Sequence, residues 1–122
     1  MLVVLLGLWV LHTPVNAYPS RPVSVCDVLD NPAQYGKRQF VLAADLVLGP
    51  HHGVLIDDRC RGALKLVMND KAGKGAQVAA VMGRLYAHHA RGHVTLIGTF
   101  DKTPADTADG IFVLDHVSDT HK

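Results

Sequence analysis

Glutamate is absent from this chain: all eleven of its acidic residues are aspartate. Aspartate favours turns and helix caps, whereas glutamate favours helix interiors. The bias therefore predicts a protein built mainly of strands and loops. Its 122 residues are enough for one domain with one core and too few for two.

An excess of charge of either sign is also lacking. Twelve Lys and Arg residues against eleven Asp residues leave a net charge of +1. A dedicated nucleic-acid-binding protein normally presents a clearly basic face. We therefore expect no nucleic-acid partner.

Aromatic residues are few, at 6% of the chain, and established catalytic motifs are missing. Phe40, Tyr86, Phe100 and Phe112 fall on strand patterns, which predicts core positions and not a stacking platform for bases. The sequence contains no G-x-S-x-G, no H-E-x-x-H and no phosphate-binding glycine loop. We assign no catalytic residue, metal ligand or cofactor, and we favour a non-enzymatic function.

A long apolar run is lacking as well. Spanning a bilayer takes about 20 apolar residues, and the apolar run at the start of the chain, MLVVLLGLWVL, is shorter. Pro14 follows, and then Val15-Asn16-Ala17, with small or branched residues where signal peptidase cleaves. We predict a signal peptide over residues 1–17 and one domain over residues 18–122, exported to the periplasm or beyond, with no stable membrane insertion after cleavage. No Lys or Arg precedes the run, and an uncleaved N-terminal anchor is the alternative.

Cysteine is limited to Cys26 and Cys60. An even number of cysteines in an oxidising compartment predicts a disulfide. The two are not arranged as C-x-x-C, which argues against a zinc site or a redox pair. A bridge across 34 residues would stabilise the fold by about 3 to 4 kcal/mol in the chain-entropy model.

Alternation of apolar and polar residues predicts most of the secondary structure. Ser24 and Asp27 have the spacing of a helix start, and Asn31-Pro32 ends this short helical turn. A long strand follows from Gln39, with Phe40, Leu42, Ala44, Leu46 and Leu48 on one face. Further strands are predicted over VLIDD (54–58), GALKLVM (62–68), QVAAVMGRLYA (77–87), HVTLIGTF (93–100) and IFVLDHV (111–117).

The remaining segments are predicted as turns, loops and bends. NDKAGKGA (69–76) is predicted as a loop without a helix, and Gly83 and Gly98 as bulges or tight bends. Turn signals recur about every 8 to 12 residues, which favours a small all-β barrel of five or six strands, of the OB type. Core positions are expected at Leu42, Leu46, Leu55, Leu66, Val81 and Leu96.

One part of the chain resembles a family of small exported bacterial OB-like proteins. The likeness covers about residues 24–66 and rests on SVCDVLDNPAQYGKRQFVLAADL followed by GVLIDDRC. The family pattern is a helical turn with a cysteine, then Y-x-G-K-x-V, a strand, and L-x-D-x-x-C. The resemblance implies an OB-like barrel and a bond between the two cysteines, and it implies no activity.

Histidines concentrate in two predicted turns, LGPHHGVL and LYAHHARGHVTLIG. In an OB-type barrel the turns between strands 1 and 2 and between strands 4 and 5 flank one binding face. We therefore expect the two turns to lie on the same side of the barrel, without a pre-built metal site. A ligand there should bind with an affinity that changes between pH 5 and 8, where histidine changes charge. The candidate ligand-binding residues are His51, His52, His88, His89, Arg91 and His93.

Four functions remain open on these observations. The first is a non-enzymatic binding module of the bacterial envelope, with a small ligand or an envelope protein as its partner. The second is a small hydrolase or nuclease on the same barrel, and the third is a metal-binding protein that uses the histidine turns. The fourth is a purely structural envelope module with an exposed sheet edge for pairing. Asp57 and Asp58, beside Arg59 and Arg61, are expected to cap the turn around Cys60 and not to form a catalytic pair.

Overall fold

The structure is a computed structural model that describes residues 21–50, 52–105 and 108–118. The predicted signal peptide lies outside these residues, and so does His51. In chain order the helices and strands are α1 Val25–Asp30, α2 Pro32–Tyr35, β1 Gln39–Leu48, β2 Gly53–Ile56, β3 Ala63–Met68, α3 Asp70–Gly73, α4 Ala76–Ala87, β4 Arg91–Asp101 and β5 Gly110–Val117.

The five strands form a closed barrel in the order β1-β2-β3-β5-β4. All neighbouring strands are antiparallel except β3 and β5, which run parallel. Within β1, only the second half, Asp45–Leu48, pairs with β2. Val23 lies beside the first half: its amide donates to Val41 O at 2.8 Å, and the Ala43 amide donates to Val23 O at 2.9 Å. The segment before α1 thus completes the hydrogen bonding of β1. The prediction of a small all-β barrel is confirmed, with five strands.

The core follows from the period of two along the strands. On β1 the side chains of Phe40, Leu42, Ala44 and Leu46 are buried, whereas the residues between them are partly exposed. All six residues expected in the core are buried: Leu42, Leu46, Leu55, Leu66, Val81 and Leu96.

The prediction of a strand over residues 77–87 is wrong, because this segment belongs to helix α4. The buried side chains of α4 are Val78, Val81 and Leu85, at spacings of three and four that place them on one helical face. Alanine, the best helix former, occupies much of the exposed surface between them. Val81 therefore reaches the core from a helix that packs on the barrel. Gly83 lies in this helix and marks no bulge, and Tyr86, expected in the core, is 63% exposed on it.

Residues 69–76 also differ from the predicted helix-free loop. They contain the short helix α3, whose N-terminus is capped by Asn69: the Ala72 amide donates to Asn69 Oδ1 at 2.7 Å. Ala72 is buried, and this contact with the core holds the short helix in place. The glycines and lysines of this segment favoured a loop, but Asn69 is a favourable N-cap residue.

Helix α1 is fixed at the surface by a capping box and by the disulfide. The Asp27 amide donates to Ser24 Oγ at 3.0 Å, and the Ser24 amide donates to Asp27 Oδ2 at 3.1 Å. Cys26 and Cys60 are bonded, with their Cα atoms 5.8 Å apart. The predicted pairing is confirmed. The bond ties α1 to the connection between β2 and β3.

Candidate functional site

The two histidine-bearing turns lie at the same end of the barrel. The first joins β1 to β2, where Leu48 pairs with Gly53. The second lies beside it, because the Leu48 amide donates to Ala90 O at 2.8 Å. The premise behind the expected arrangement was wrong: the second turn does not join two strands but connects α4 to β4.

Two residues of the second turn have a left-handed backbone conformation. His89 has a φ of 66° and Ala90 a φ of 59°, a conformation that costs a non-glycine residue about 1 to 2 kcal/mol. The His88 and Ala90 amides both donate to Leu85 O, at 2.9 and 2.8 Å. These bonds end the helix and reverse the chain, so that β4 begins directly at Arg91.

Charged side chains gather where β1 and β4 pair, on the outer surface of the barrel. Asp45 is directly opposite His93 in the register, and His93 Nδ1 lies 3.3 Å from Asp45 Oδ1. The Arg91 guanidinium lies 3.8 Å from Asp45 Oδ2 and 3.8 Å from Asp58 Oδ1. We call Asp45, Asp58, Arg91 and His93 the Asp45 cluster. Its side chains are between 31% and 84% exposed, which leaves the charges within reach of solvent and of a ligand.

A second ion pair lies next to the disulfide. Arg59 donates from Nε and from its second guanidinium nitrogen to the two carboxylate oxygens of Asp57, at 3.0 and 2.7 Å, and its amide donates to the same carboxylate at 2.9 Å. The side-chain and backbone hydrogen bonds from Arg59 lower the pKa of Asp57 to about 2. The Cys60 amide donates to Asp57 O at 3.2 Å. Asp57 therefore caps the turn around Cys60, as the sequence indicated. Asp58, for which the same role was expected, is 84% exposed and lies 3.8 Å from Arg91.

A cavity of about 400 Å³ separates these charged groups from the segment before α1. Ser24 and Asp27 line one side of it, and Asp45, Asp57 and His93 line the other. Ser24 and Asp27 are engaged with each other in the capping box, and Asp57 with Arg59. The polar groups of this cavity are thus largely satisfied by the fold itself.

A larger cavity, of about 560 Å³, lies between α4 and β4. Gly92 allows the helix to pack this close, because a Cβ at that position would collide with the Leu85 side chain. We call this cavity the α4–β4 groove. Its described lining residues are Gln77, Ala80, Val81, Arg84, Leu85, His88, Arg91, Gly92, His93, Val94, Thr95, Val117 and Ser118.

The groove contains three of the six predicted ligand-binding residues, His88, Arg91 and His93. His52 and His89 are exposed in the adjoining turns and do not line it, and His51 lies outside the described residues. Within residues 21–50, 52–105 and 108–118, no three His, Cys or Asp side chains are grouped so that they could hold a metal ion. In the same part of the chain, no helix is long and apolar enough to cross a membrane.

Sequence reasoning missed two parts of this site. Arg84 went unnoticed because its segment was assigned to a strand, and only the helical period places it beside His88. Asp45 could have been found, since it is the one charged residue on an outward face otherwise made of Val41, Ala43 and Val47.

Comparisons with known proteins add no relative: no protein-family model, no curated protein and no solved structure matches the chain. The fold and the site define a small disulfide-bonded β-barrel with a groove at one end that is lined by both basic and apolar residues.

Proposed function

We propose that this chain is an exported, non-enzymatic binding module of the bacterial envelope. It holds a small ligand, or a partner, at the end of the barrel that carries the two histidine turns. The disulfide supports export, because such bonds persist in oxidising compartments and are rare in the cytosol. We further propose that the barrel is of the OB type. Five strands closed in the order β1-β2-β3-β5-β4, with a helical turn leading in, support this assignment.

The observation that carries the proposal is the α4–β4 groove next to the Asp45 cluster. Small-molecule sites are usually clefts of about 300 to 1,000 Å³, with apolar walls and a few polar groups that orient the ligand. The groove has this size, at about 560 Å³. It also combines apolar side chains from α4 with Arg91 and His93, which belong to the solvent-exposed Asp45 cluster.

The exposure of the charged groups favours binding over hydrolysis. A hydrolase or nuclease usually holds its acidic and basic groups in a cleft, where burial or close charged partners perturb their pKa values. In the Asp45 cluster, however, His93 is 67% exposed and Asp58 is 84% exposed. Asp57 is more buried, but its carboxylate oxygens are occupied by Arg59.

Native mass spectrometry of the protein purified from the periplasm tests the proposal. The chain would be expressed with its own N-terminal segment, as wild type, as Arg91→Gln and as the matched control Arg38→Gln. Arg38 is an exposed arginine just before β1, and thus far from the histidine turns. We expect a bound species on the wild type and on the control, and less of it on Arg91→Gln.

Two results would contradict the proposal. One is an Arg91→Gln protein that retains the same species in the same amount, and the other is a wild type that carries nothing. Hydrolysis of a phosphodiester or ester probe that disappears in His93→Gln would instead support the hydrolase. The expected change of affinity between pH 5 and 8 stays a prediction for the same site.

A further inference from the structure

We propose that the α4–β4 groove binds a small oxyanion, a carboxylate or phosphate group, carried on a compact apolar body. The inference rests on the proposed binding function and names the ligand class for that site. Its basis is a juxtaposition: α4 and β4 each bring cationic or protonatable side chains to one cavity whose other wall is apolar.

The ionisable side chains that line the groove are all basic, and the carboxylates of Asp45 and Asp58 lie outside the lining, beside Arg91 and His93. Arg84 and His88 come from α4 and its C-terminal cap, and Arg91 and His93 come from β4. Of the described residues that line the cavity, none is acidic. An arginine guanidinium presents a planar fork of donors that matches the two oxygens of a carboxylate or phosphate. Two such forks on separate elements favour an oxyanion over a neutral or cationic ligand.

The guanidinium of Arg91 remains available to a ligand. Its two carboxylate neighbours, Asp45 and Asp58, are each 3.8 Å away, beyond hydrogen-bond distance. Exposed ion pairs of this kind stabilise a protein little, typically by less than about 1 kcal/mol. A ligand oxygen at direct hydrogen-bond distance would compete with them. The Arg84 side chain has no hydrogen bond or ion pair with any residue that the structure describes.

The apolar side of the groove accounts for the rest of the ligand. The apolar surface that is still open to a ligand belongs to Ala80 on α4 and Val117 on β5, because Val81, Leu85 and Val94, which also line the cavity, are at most 8% exposed. A bare inorganic ion would contact the arginines but leave this wall in water, whereas an aromatic or aliphatic body would cover it. The volume of about 560 Å³ accommodates both parts of such a molecule.

The test is a titration of the ¹⁵N-labelled protein from the periplasm, followed by two-dimensional NMR. Phenyl phosphate and benzoate are the probes, and they distinguish phosphate from carboxylate as the preferred group. Benzyl alcohol and benzylamine supply a neutral and a cationic control of similar size. The variants are Arg84→Gln and the matched control Arg38→Gln, with far-UV circular dichroism to show that both are folded.

We expect at least one of the two anions to shift the amide signals of Arg84, His88 and Arg91, and to bind at least about tenfold more tightly than benzyl alcohol or benzylamine. Arg84→Gln should weaken that binding by about tenfold, and Arg38→Gln should leave it unchanged. Equal affinity for the four probes would overturn the inference, as would an anion that perturbs another surface or an Arg84→Gln protein that binds like the wild type.

The outcome also separates this inference from the proposed function. A ligand retained by the wild type and lost in Arg91→Gln, together with no preference for anions, would refute the oxyanion while the binding function stands. A protein that carries no ligand from the periplasm and responds to none of the four probes would refute both.

Discussion

Replacing Gly98 by alanine should be among the most damaging single-methyl additions in this protein. Gly98 is a buried residue of β4, next to the irregularity in the pairing of β4 with β5 between Ile97 and Gly98. A Cβ at Gly98 would overlap the carbonyl oxygen of Val113 and lie 2.9 Å from Phe112 Cζ. The principal obstacle is therefore backbone, which cannot rotate away as a side chain can.

The size of the effect follows from the closure of the barrel. β5 is paired with β4 on one side and with β3 on the other, so that a shift of Val113 away from β4 would disturb both ladders. Overpacking in a core usually costs about 1 to 3 kcal/mol and occasionally more. We expect Gly98→Ala to lower the free energy of unfolding by about 3 kcal/mol or more.

Gly83→Ala is the matched control, because it makes the same chemical change in open space. Gly83 lies on the exposed side of α4, and a Cβ there would meet nothing within 4 Å. Alanine is favoured over glycine within a helix by about 0.5 to 1 kcal/mol. This variant should be as stable as the wild type or more stable by up to that amount.

Urea unfolding of the three proteins, followed by circular dichroism, measures both effects. A Gly98→Ala protein within about 0.5 kcal/mol of the wild type would refute the reasoning. Such a result would mean that β5 moves freely against β4. Equal destabilisation by both substitutions would also refute the reasoning. It would mean that the loss of stability comes from the reduced backbone freedom of alanine and not from a steric clash of the added methyl group.

Three further predictions concern the stability of the barrel. The double variant Cys26→Ser, Cys60→Ser should lose about 4 kcal/mol in urea unfolding, because the bond closes a loop across 34 residues; unreduced wild-type protein should resist alkylation. Since the folded-state pKa of Asp57 is lowered from 3.8 to about 2, its contribution is present above about pH 4 and is lost as the pH falls towards 2. Because solvent screens the exposed Arg59, the contribution of Asp57 to the free energy of unfolding is limited to about 1 kcal/mol. Asp57→Asn should therefore flatten the measured stability profile between about pH 4 and pH 2. Leu42→Ala, at a fully buried position, should lower the free energy of unfolding by about 2 to 5 kcal/mol.

The sequence predicts those parts of the fold in which a period of two is strong. Along β1, alternation extends from Phe40 to Leu46, and the predicted start at Gln39 agrees with the structure. The disulfide was predicted from the even number of cysteines, and this prediction requires no knowledge of the topology. Gly98 was correctly expected to mark an irregular position, because glycine within an apolar strand often does.

The helix α4 could not be assigned by the same reasoning. Its sequence is rich in alanine, which is neither strongly apolar nor polar, so that its period is weakly marked. Val81 and Leu85 fit a period of two, whereas Val78, three residues before Val81, shares a face with them only in a helix. Alanine at four of its twelve positions favours a helix by propensity, and this signal should have outweighed the apparent alternation. The same error assigned Gly83 to a bulge and Tyr86 to the core.

The candidate site depends on that helix more than on any strand. His93 and Asp45 are 48 residues apart in the chain, and only the pairing of β4 with β1 brings them together. Arg84 joins them only because α4 precedes β4 and packs against it at Gly92, where no side chain intervenes. The histidine turns could thus be found from composition alone, whereas the groove beside them arises from a helix packed on a barrel. A substitution that moves α4 away from β4 should therefore alter ligand binding even where it leaves every charged residue in place.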